Sequence, residues 1–125
     1  MGIFSFNSKV ESGFPWNVLN SSEQLNDAFE KSFQHPVLFF KHSTRCSISS
    51  MAKSRFESNW STGNELCTIY YLDLLTFRAL SNEIEAKTGI IHQSPQVIVL
   101  KEGKVIYQDS HSGISASTIE SLLNT

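Results

Sequence analysis

The first half of the chain alternates apolar clusters with short polar segments, and the spacing of these clusters predicts the elements. Residues 16–19 are compatible with a short edge strand, and Ser21 or Ser22 is a typical N-cap for the helix that follows. In this helix the apolar side chains recur three or four residues apart, at Leu25, Ala28, Phe29 and Phe33. Pro36 ends it, because proline cannot continue a helix.

A run of Val, Leu, Phe and Phe followed by Lys occupies residues 37–41 and is typical of a central strand covered on both faces. After the short segment Ser43-Thr44-Arg45-Cys46, a second helix is predicted to continue to about Trp60. Its apolar face is predicted to consist of Ile48, Met51, Ala52, Phe56 and Trp60.

The second half continues with strands and helices in alternation and then a hairpin. Strands are predicted at 66–74, 96–100 and 104–107, and helices at 78–87, ending at Gly89, and from Ser115 or Ser117 to Leu123. The resulting order, β-α-β-α-β-α-β-β-α, predicts an α/β fold with a mixed sheet of four or five strands and helices on both faces. Residues 1–15 are predicted to be a loosely packed N-terminal extension, and residues 16–125 a single domain.

Composition narrows the class of partner. The net charge of −2 provides no basic surface for nucleic acid or for an anionic membrane. The apolar runs are far shorter than a membrane span, and the amino end lacks the pattern of an export signal. Two cysteines are too few for a disulfide framework. We therefore expect a cytoplasmic protein with both cysteines as thiols.

Cys46 is the strongest candidate for chemistry. It lies between a predicted buried strand and the first turn of a helix, where unpaired backbone N–H groups and the helix dipole favour a thiolate. The basic residues Lys41, His42 and Arg45 are close in sequence and are expected to act in the same direction. A small buried cysteine without function is the alternative, since unreactive cysteines are often buried.

Two segments around this cysteine resemble thioredoxins and glutaredoxins. The nucleophilic cysteine of those proteins follows an apolar strand, as Cys46 follows Phe39-Phe40 here. Their cis-proline, which precedes a later strand and a Lys-x-Gly-Lys-like hairpin, corresponds to Pro95 in Ser94-Pro95, with Lys101-Glu102-Gly103-Lys104 as the hairpin. The resemblance implies a thioredoxin-like fold with a cis-Pro loop in which Ser94 and Pro95 bind substrate.

The octapeptide His42-Ser43-Thr44-Arg45-Cys46-Ser47-Ile48-Ser49 is similar to the signature of the monothiol bacilliredoxins, which is Thr-Cys-Pro-Ile-Ser or near it. The resemblance extends over about residues 16–124. It departs from the pattern at two positions: Arg45 is inserted before the cysteine, and Ser47 replaces the proline. A serine there frees one φ angle and restores an N–H, without removing the nucleophile.

The resemblance implies roles for the residues of this motif. Cys46 would be the nucleophile, assisted by Arg45, and His42 and Thr44 would contact substrate. Ser49 occupies the place of the second cysteine of dithiol relatives and cannot form a disulfide. Its hydroxyl could instead hydrogen-bond to the Cys46 thiolate or cap its own helix. An outside thiol, such as bacillithiol or a similar small thiol, is then required as co-substrate, and no bound cofactor is implied.

The remaining candidates have structural interpretations. If the second and third strands are parallel, Cys67 lies on the order of 20 Å from Cys46, too far for a disulfide, and is predicted to pack in the core. The histidines, His35, His42, His92 and His111, lack metal-ligand spacing, so no metal site is predicted. His92 precedes Ser94-Pro95 and is a candidate to line the site.

Three functions are compatible with these observations. The first is a monothiol thiol-disulfide oxidoreductase that acts on S-thiolated proteins. The second is a non-catalytic thioredoxin-fold protein, such as a stress-associated redox sensor or a binding protein. The third is the dimeric binding of an iron–sulfur cluster, which some monothiol glutaredoxins perform with an external thiol.

Overall fold

The computed structural model describes residues 14–124. Five strands form one sheet: β1 (Asn17–Val18), β2 (Val37–His42), β3 (Thr68–Asp73), β4 (Gln96–Lys101) and β5 (Lys104–Ser110). Four helices connect or flank them: α1 (Ser22–Lys31), α2 (Ser47–Asn59), α3 (Arg78–Thr88) and α4 (Ala116–Leu123), with a short 3-10 turn at His111–Gly113. The element order and the mixed sheet are those predicted from the sequence.

The strands lie in the order β1-β3-β2-β4-β5. β1 and β2 run parallel to β3, whereas β4 is antiparallel to both β2 and β5. His42 at the end of β2 pairs with Asp73 at the end of β3, and Lys41 pairs with Gln96 at the start of β4. The segments that follow β2 and β3 and the segment that precedes β4 therefore meet at one edge of the sheet.

Two apolar layers cover the sheet. Side chains of α2 and α4 pack on one face in a cluster that includes Phe40, Phe56 and Ile119. Side chains of α1 and α3 pack on the other face in a cluster that includes Leu25, Phe39 and Ile84. Since successive residues of a strand point to opposite faces, Phe39 and Phe40 separate into the two layers, and β2 is buried along its whole length.

Local signals mark the ends of several elements as predicted. The Ser21 hydroxyl caps α1 by accepting from the Gln24 N–H. Gly89 ends α3 with a φ of 75°, a left-handed conformation that favours glycine. The β4–β5 hairpin turns through Glu102 and Gly103, which both have positive φ.

The predicted apolar face of α2 is partly wrong. The helix buries Ser49, Ala52 and Phe56, whereas Ile48 and Met51 are 63% and 68% exposed. The inward face is fixed by a polar contact, because the Ser49 side chain points to the sheet and bonds to His42. This rotation turns Ile48 and Met51 toward solvent.

The predicted N-terminal extension, residues 1–15, lies largely outside the described residues. Of its last two residues, Phe14 packs its ring 5.0 Å from that of Trp16 and 6.4 Å from that of Phe56. The part of the extension that the structure describes thus contacts the α2 side of the core.

Candidate active site

Cys46 is the N-cap residue of α2, with extended backbone angles of φ −110° and ψ 120°. Its carbonyl accepts the first helical bond, from the Ser50 N–H at 3.0 Å, and its own N–H donates to the Ser43 carbonyl at 3.2 Å. The thiol makes no capping bond to the helix. The first amide groups of α2, which have no acceptor within the helix, therefore remain directed toward the region in which a thiolate would lie.

The neighbours of Cys46 are arranged by the short loop after β2. Thr44 and Arg45 are exposed, whereas Cys46 is half-buried. Both side chains that precede the thiol are therefore accessible from solvent. This exposure is compatible with the roles predicted for them, assistance of Cys46 by Arg45 and substrate contact by Thr44.

Ser49 is fully buried and its hydroxyl has two partners. It accepts from the Ser43 N–H at 3.1 Å and lies 2.7 Å from Nδ1 of His42. A serine hydroxyl can donate and accept at the same time, so Ser49 can donate to Nδ1 of a neutral His42 ring while it accepts from Ser43. Burial and then the Lys53 charge lower the pKa of His42, which also favours that neutral form.

This network corresponds to neither of the two roles predicted for Ser49, a hydrogen bond to the Cys46 thiolate or a cap on its own helix. Within residues 14–124, Ser49 is bonded to His42 and Ser43, and its hydroxyl makes no hydrogen bond to the Cys46 sulfur. Ser49 thus closes the β2–α2 loop and holds Cys46 at the helix start. His42 is correspondingly engaged inside the protein, and the interaction between the two side chains spans seven residues.

Lys41 does not belong to the basic group that the sequence predicts around Cys46. Its ammonium lies on the α3 side of the sheet, 3.4 Å from Nδ1 of His92 and 3.5 Å from the Ser81 carbonyl. The reason is the alternation of side chains along β2, which sends His42 to the α2 face and Lys41 to the opposite face. Burial lowers the pKa of Lys41 to about 8, and the Glu85 charge opposes this.

The loop before β4 approaches the same edge of the sheet. The Ser94–Pro95 peptide bond is cis, and the Pro95 carbonyl accepts from the His111 N–H at 3.0 Å. The Ser94 hydroxyl oxygen is buried and has no hydrogen-bond partner in the described part of the chain. His92, predicted to line the site, instead turns toward Lys41 and Ser81.

Exposed apolar side chains lie on segments that meet at this edge of the sheet, and the sequence pattern does not reveal them as a surface. Ile48 and Met51 lie on the first turns of α2, Leu75 follows β3, and Ile91 lies in the loop before Pro95. They are 41–73% exposed. Separate elements supply them, so only the strand register could have brought them together. Exposed apolar groups that cluster at one site are typical of a surface that binds other proteins.

Cys67 lies in the core, as predicted. It is fully buried immediately before β3, and burial raises the pKa of its thiol to about 12. The register places it beside the start of β2, at the sheet end opposite Cys46. Both cysteines are unpaired.

Within residues 14–124, no cluster of three His, Cys, Asp or Glu side chains could hold a metal ion. Among the described helices, none is long and apolar enough to cross a membrane.

Solved structures with the same arrangement define the class of protein. A protein described provisionally as an oxidoreductase with a thioredoxin fold is 27% identical, with a TM-score of 0.74 over 89% of this chain and 95% of that one. The thioredoxin NaTrxh of Nicotiana alata is 15% identical, with a TM-score of 0.66 over 88% and 90% of the two chains. A thioredoxin of Trypanosoma brucei brucei is also 15% identical, with a TM-score of 0.65 over 90% and 95%.

The fold is therefore the thioredoxin fold, and with Cys46 at the start of α2 the chain is a redox thiol protein of that class. The family described as "Monothiol bacilliredoxin BrxC" matches residues 17–119. The chain belongs to the monothiol bacilliredoxin family.

Proposed function

We propose that this protein is a monothiol thiol-disulfide oxidoreductase that removes small thiols from S-thiolated proteins. The observation that carries the proposal is the placement of Cys46 as the half-buried N-cap of α2, with the buried hydroxyl of Ser49 where a second thiol would be needed for an internal disulfide. The family supports a redox thiol, and this geometry supports the one-thiol cycle.

In the first step, the Cys46 thiolate attacks the small-thiol sulfur of a mixed disulfide on the target protein. The bond between Cys46 and the small thiol forms as the original disulfide breaks, and the target's sulfur leaves as a thiolate that takes up a proton. Helix amide groups at the start of α2 stabilise the Cys46 thiolate as nucleophile and later as leaving group.

In the second step, the thiolate of a free small thiol attacks the mixed disulfide on Cys46. A disulfide of two small thiols leaves, and Cys46 returns to the thiolate. The co-substrate is bacillithiol or a similar small thiol, and the reducing cytoplasm is the compartment in which it would be supplied.

Target proteins would bind at the sheet edge that carries the Ser94–Pro95 loop. Ser94 has a buried hydroxyl without a partner in residues 14–124, and the main chain before it would pair with an extended segment of the target. The apolar side chains of Ile48, Met51 and Ile91 would contact the target around its modified cysteine. Thr44, Arg45 and His42 are proposed to contribute on the α2 side, with His42 acting through Ser49.

The test transfers a labelled small thiol from a target protein to this one. A purified protein that carries one disulfide-linked small thiol is mixed with an equal amount of this protein, and both intact masses are followed. We expect the adduct to leave the target and to be found on Cys46. The Cys46→Ser variant should leave the target modified, and the Cys67→Ala variant should behave like the wild type.

The proposal would be overturned if the target lost its adduct no faster than it does without this protein. The same experiment distinguishes the proposed oxidoreductase from a non-catalytic sensor. A sensor would accept an adduct from an oxidised small thiol but would not accelerate the removal of the small thiol from a target protein. An adduct on Cys67 would contradict the assignment of the nucleophile.

A further inference from the structure

We propose that Lys41 is a positioning residue for the loop that precedes Pro95: it holds His92 in its neutral form and thereby fixes the main chain that presents Ser94 and Pro95 to the target protein. The inference deepens the proposed function and rests on it, since it takes this loop to be part of the binding site. Acidification then weakens target binding through His92.

The first observation is an ammonium group in the interior. Lys41 is fully buried, and its two contacts, to Ser81 and His92, are both long, at 3.5 and 3.4 Å. In the described part of the chain, Lys53 and Glu57 form a salt bridge, whereas Lys41 has no carboxylate within salt-bridge distance. A buried charge without a close counter-ion is destabilising, which makes Lys41 a poor choice for packing alone.

The second observation concerns the protonation of His92. Its Nδ1 lies 2.9 Å from the Ser81 hydroxyl and 3.4 Å from the Lys41 ammonium. An ammonium can only donate, and the serine hydroxyl can donate, so Nδ1 is the acceptor and the ring carries its hydrogen on Nε2. A proton added to Nδ1 would point at the ammonium.

The charges around His92 come from two elements. Burial lowers the pKa of His92, Lys41 on β2 and Arg78 on α3 lower it further, and Glu85 on α3 raises it. The nearby residue of β4, Gln96, is uncharged. Two cations thus oppose one carboxylate, and the neutral ring is favoured at pH 7.

The third observation links His92 to the loop. The His92 N–H donates to Glu85 at 3.3 Å, and the Gln96 amide donates to the Ile91 carbonyl at 3.0 Å. The Gln93 N–H in turn donates to the Gln96 side chain at 3.4 Å. Residues 91–96 are therefore tied into one short loop, and the residue whose ring contacts Lys41 and Ser81 also anchors the main chain two residues before Ser94.

The decisive measurement is the titration of the His92 ring by nitrogen-15 NMR in the wild type and in Lys41→Met. We expect the wild-type ring to carry its hydrogen on Nε2 and to take up a proton below the ordinary histidine pKa of about 6.5. In Lys41→Met the midpoint should rise by about one pH unit, since a like charge has been removed from its side. The Gln93 and Ser94 amide signals should follow the same midpoint in each protein.

The matched control is Lys87→Met, which removes an exposed lysine from α3. It should leave the His92 midpoint within about a tenth of a unit of the wild type, because Lys87 is not among the charges that shift the pKa of His92 and an exposed charge is screened by salt. An unchanged midpoint in Lys41→Met, or loop amides that do not follow His92, would overturn the proposal.

The kinetic measurement follows de-thiolation of the target between pH 5 and 7.5. We expect the wild-type KM to rise several-fold on acidification. In Lys41→Met the same rise in KM should begin at a higher pH. At pH 7.5 the kcat of Lys41→Met should be within about twofold of the wild type. Alkylation of Cys46 by iodoacetamide, which does not need the loop, should be the same in both proteins at each pH.

His92→Gln provides an independent variant if Lys41→Met is poorly folded, since glutamine retains an acceptor and does not titrate. Its KM should lose the acid rise, and a retained acid rise would contradict the role of His92. The two proposals fail differently. If the protein removes no small thiol from targets, the proposed function is wrong, while the NMR titration still decides whether Lys41 controls His92 and its loop.

Discussion

The two cysteines and the buried lysine show how strongly position changes the chemistry of a residue. Cys46 is half-buried at a helix start, whereas Cys67 is enclosed in the core with a pKa of about 12. Lys41 is held in the interior at a pKa of about 8, although lysine is normally a surface residue. Each difference leads to a measurable prediction.

Alkylation of the folded protein should modify Cys46 and spare Cys67. Only the thiolate reacts, and at pH 7.5 a thiol with a pKa near 12 is almost wholly protonated as well as inaccessible. We expect Cys67 to be labelled at least ~100-fold more slowly than Cys46, measured by peptide mapping after timed exposure to iodoacetamide. In denaturant both should react. Comparable labelling of both in the native protein would contradict the burial of Cys67.

Replacing Lys41 with Met should raise the free energy of unfolding at pH 7 by about 1–3 kcal/mol, because each unit of lowered pKa corresponds to about 1.4 kcal/mol. Between pH 8 and the ordinary value of 10.5, unfolded Lys41 holds a proton that the folded state has released. The free energy of unfolding of the wild type therefore rises with pH in this range relative to that of Lys41→Met. The difference in stability between the two proteins should shrink toward pH 10.

Urea unfolding at pH 7 and pH 10 measures this difference. Lys87→Met, which removes an exposed lysine whose ammonium lies 5.4 Å from the centre of the Phe29 ring, should lower stability by no more than about 1 kcal/mol at both values. If Lys41→Met is no more stable than the wild type at pH 7, burial of the Lys41 ammonium does not destabilise the fold. A gain in stability together with a raised KM would indicate that Lys41 is kept for its action on the loop.

At the scale of elements, the start of α2 combines the reactive thiol with a buried hydroxyl. Cys46 is the N-cap and Ser49 is the third residue of the helix, so the two lie on the same side of the first turn. The Ser49 hydroxyl is bonded to His42 and Ser43, which ties this turn to the end of β2. The helix start is thus rigid, with the chemistry limited to one sulfur.

Replacing Ser49 with Cys should convert this turn into a dithiol site. Side chains three residues apart on one helical turn are neighbours, and a second sulfur there can close a disulfide with Cys46. After mild oxidation we expect the Ser49→Cys variant to be two hydrogens lighter by intact mass. Ser54→Cys, which places the new thiol on an exposed position farther along α2, should form no such internal bond. A Ser49→Cys protein that resists pairing would contradict the geometry assigned to this turn.

At the scale of the molecule, the parallel pairing of β2 and β3 keeps the two cysteines apart. Cys67 precedes Thr68, which pairs with Val37 at the start of β2, whereas Cys46 follows His42 at its end. The five residue steps between Val37 and His42 correspond to about 17 Å of strand. A disulfide needs Cα atoms within about 7 Å, so pairing would require the sheet to open.

Exposure to an oxidised small thiol should therefore give one adduct on Cys46 and no internal disulfide. Intact mass should rise by the mass of one small thiol less two hydrogens, and excess free thiol should reverse the change. The Cys46→Ser protein should gain no adduct. A product two hydrogens lighter and free of adduct would mean that Cys46 and Cys67 had paired, which this sheet topology forbids.

The sequence by itself determined the order of elements and the ends of several of them. Glycine and serine act on the backbone within a few residues, so the end of α3 at Gly89 and the caps at Ser21 and Ser115 were predictable from local sequence. The end of α1 was predicted wrongly, because the helix ends at Lys31 instead of continuing to Pro36 and leaves Phe33 outside it and exposed. The position of Cys46 at a helix start follows from the same local signals. Its family followed from the resemblance of one octapeptide and is confirmed over residues 17–119.

Tertiary structure alone decided which side chains meet. β2 is buried on both faces, so its apolar run does not reveal that His42 faces Ser49 on α2 and that Lys41 faces Ser81 on α3, forty residues away. The exposure of Ile48 and Met51 likewise depends on how α2 is rotated against the sheet. Contacts of this kind are set by strand register and by packing between distant segments, which local periodicity does not contain.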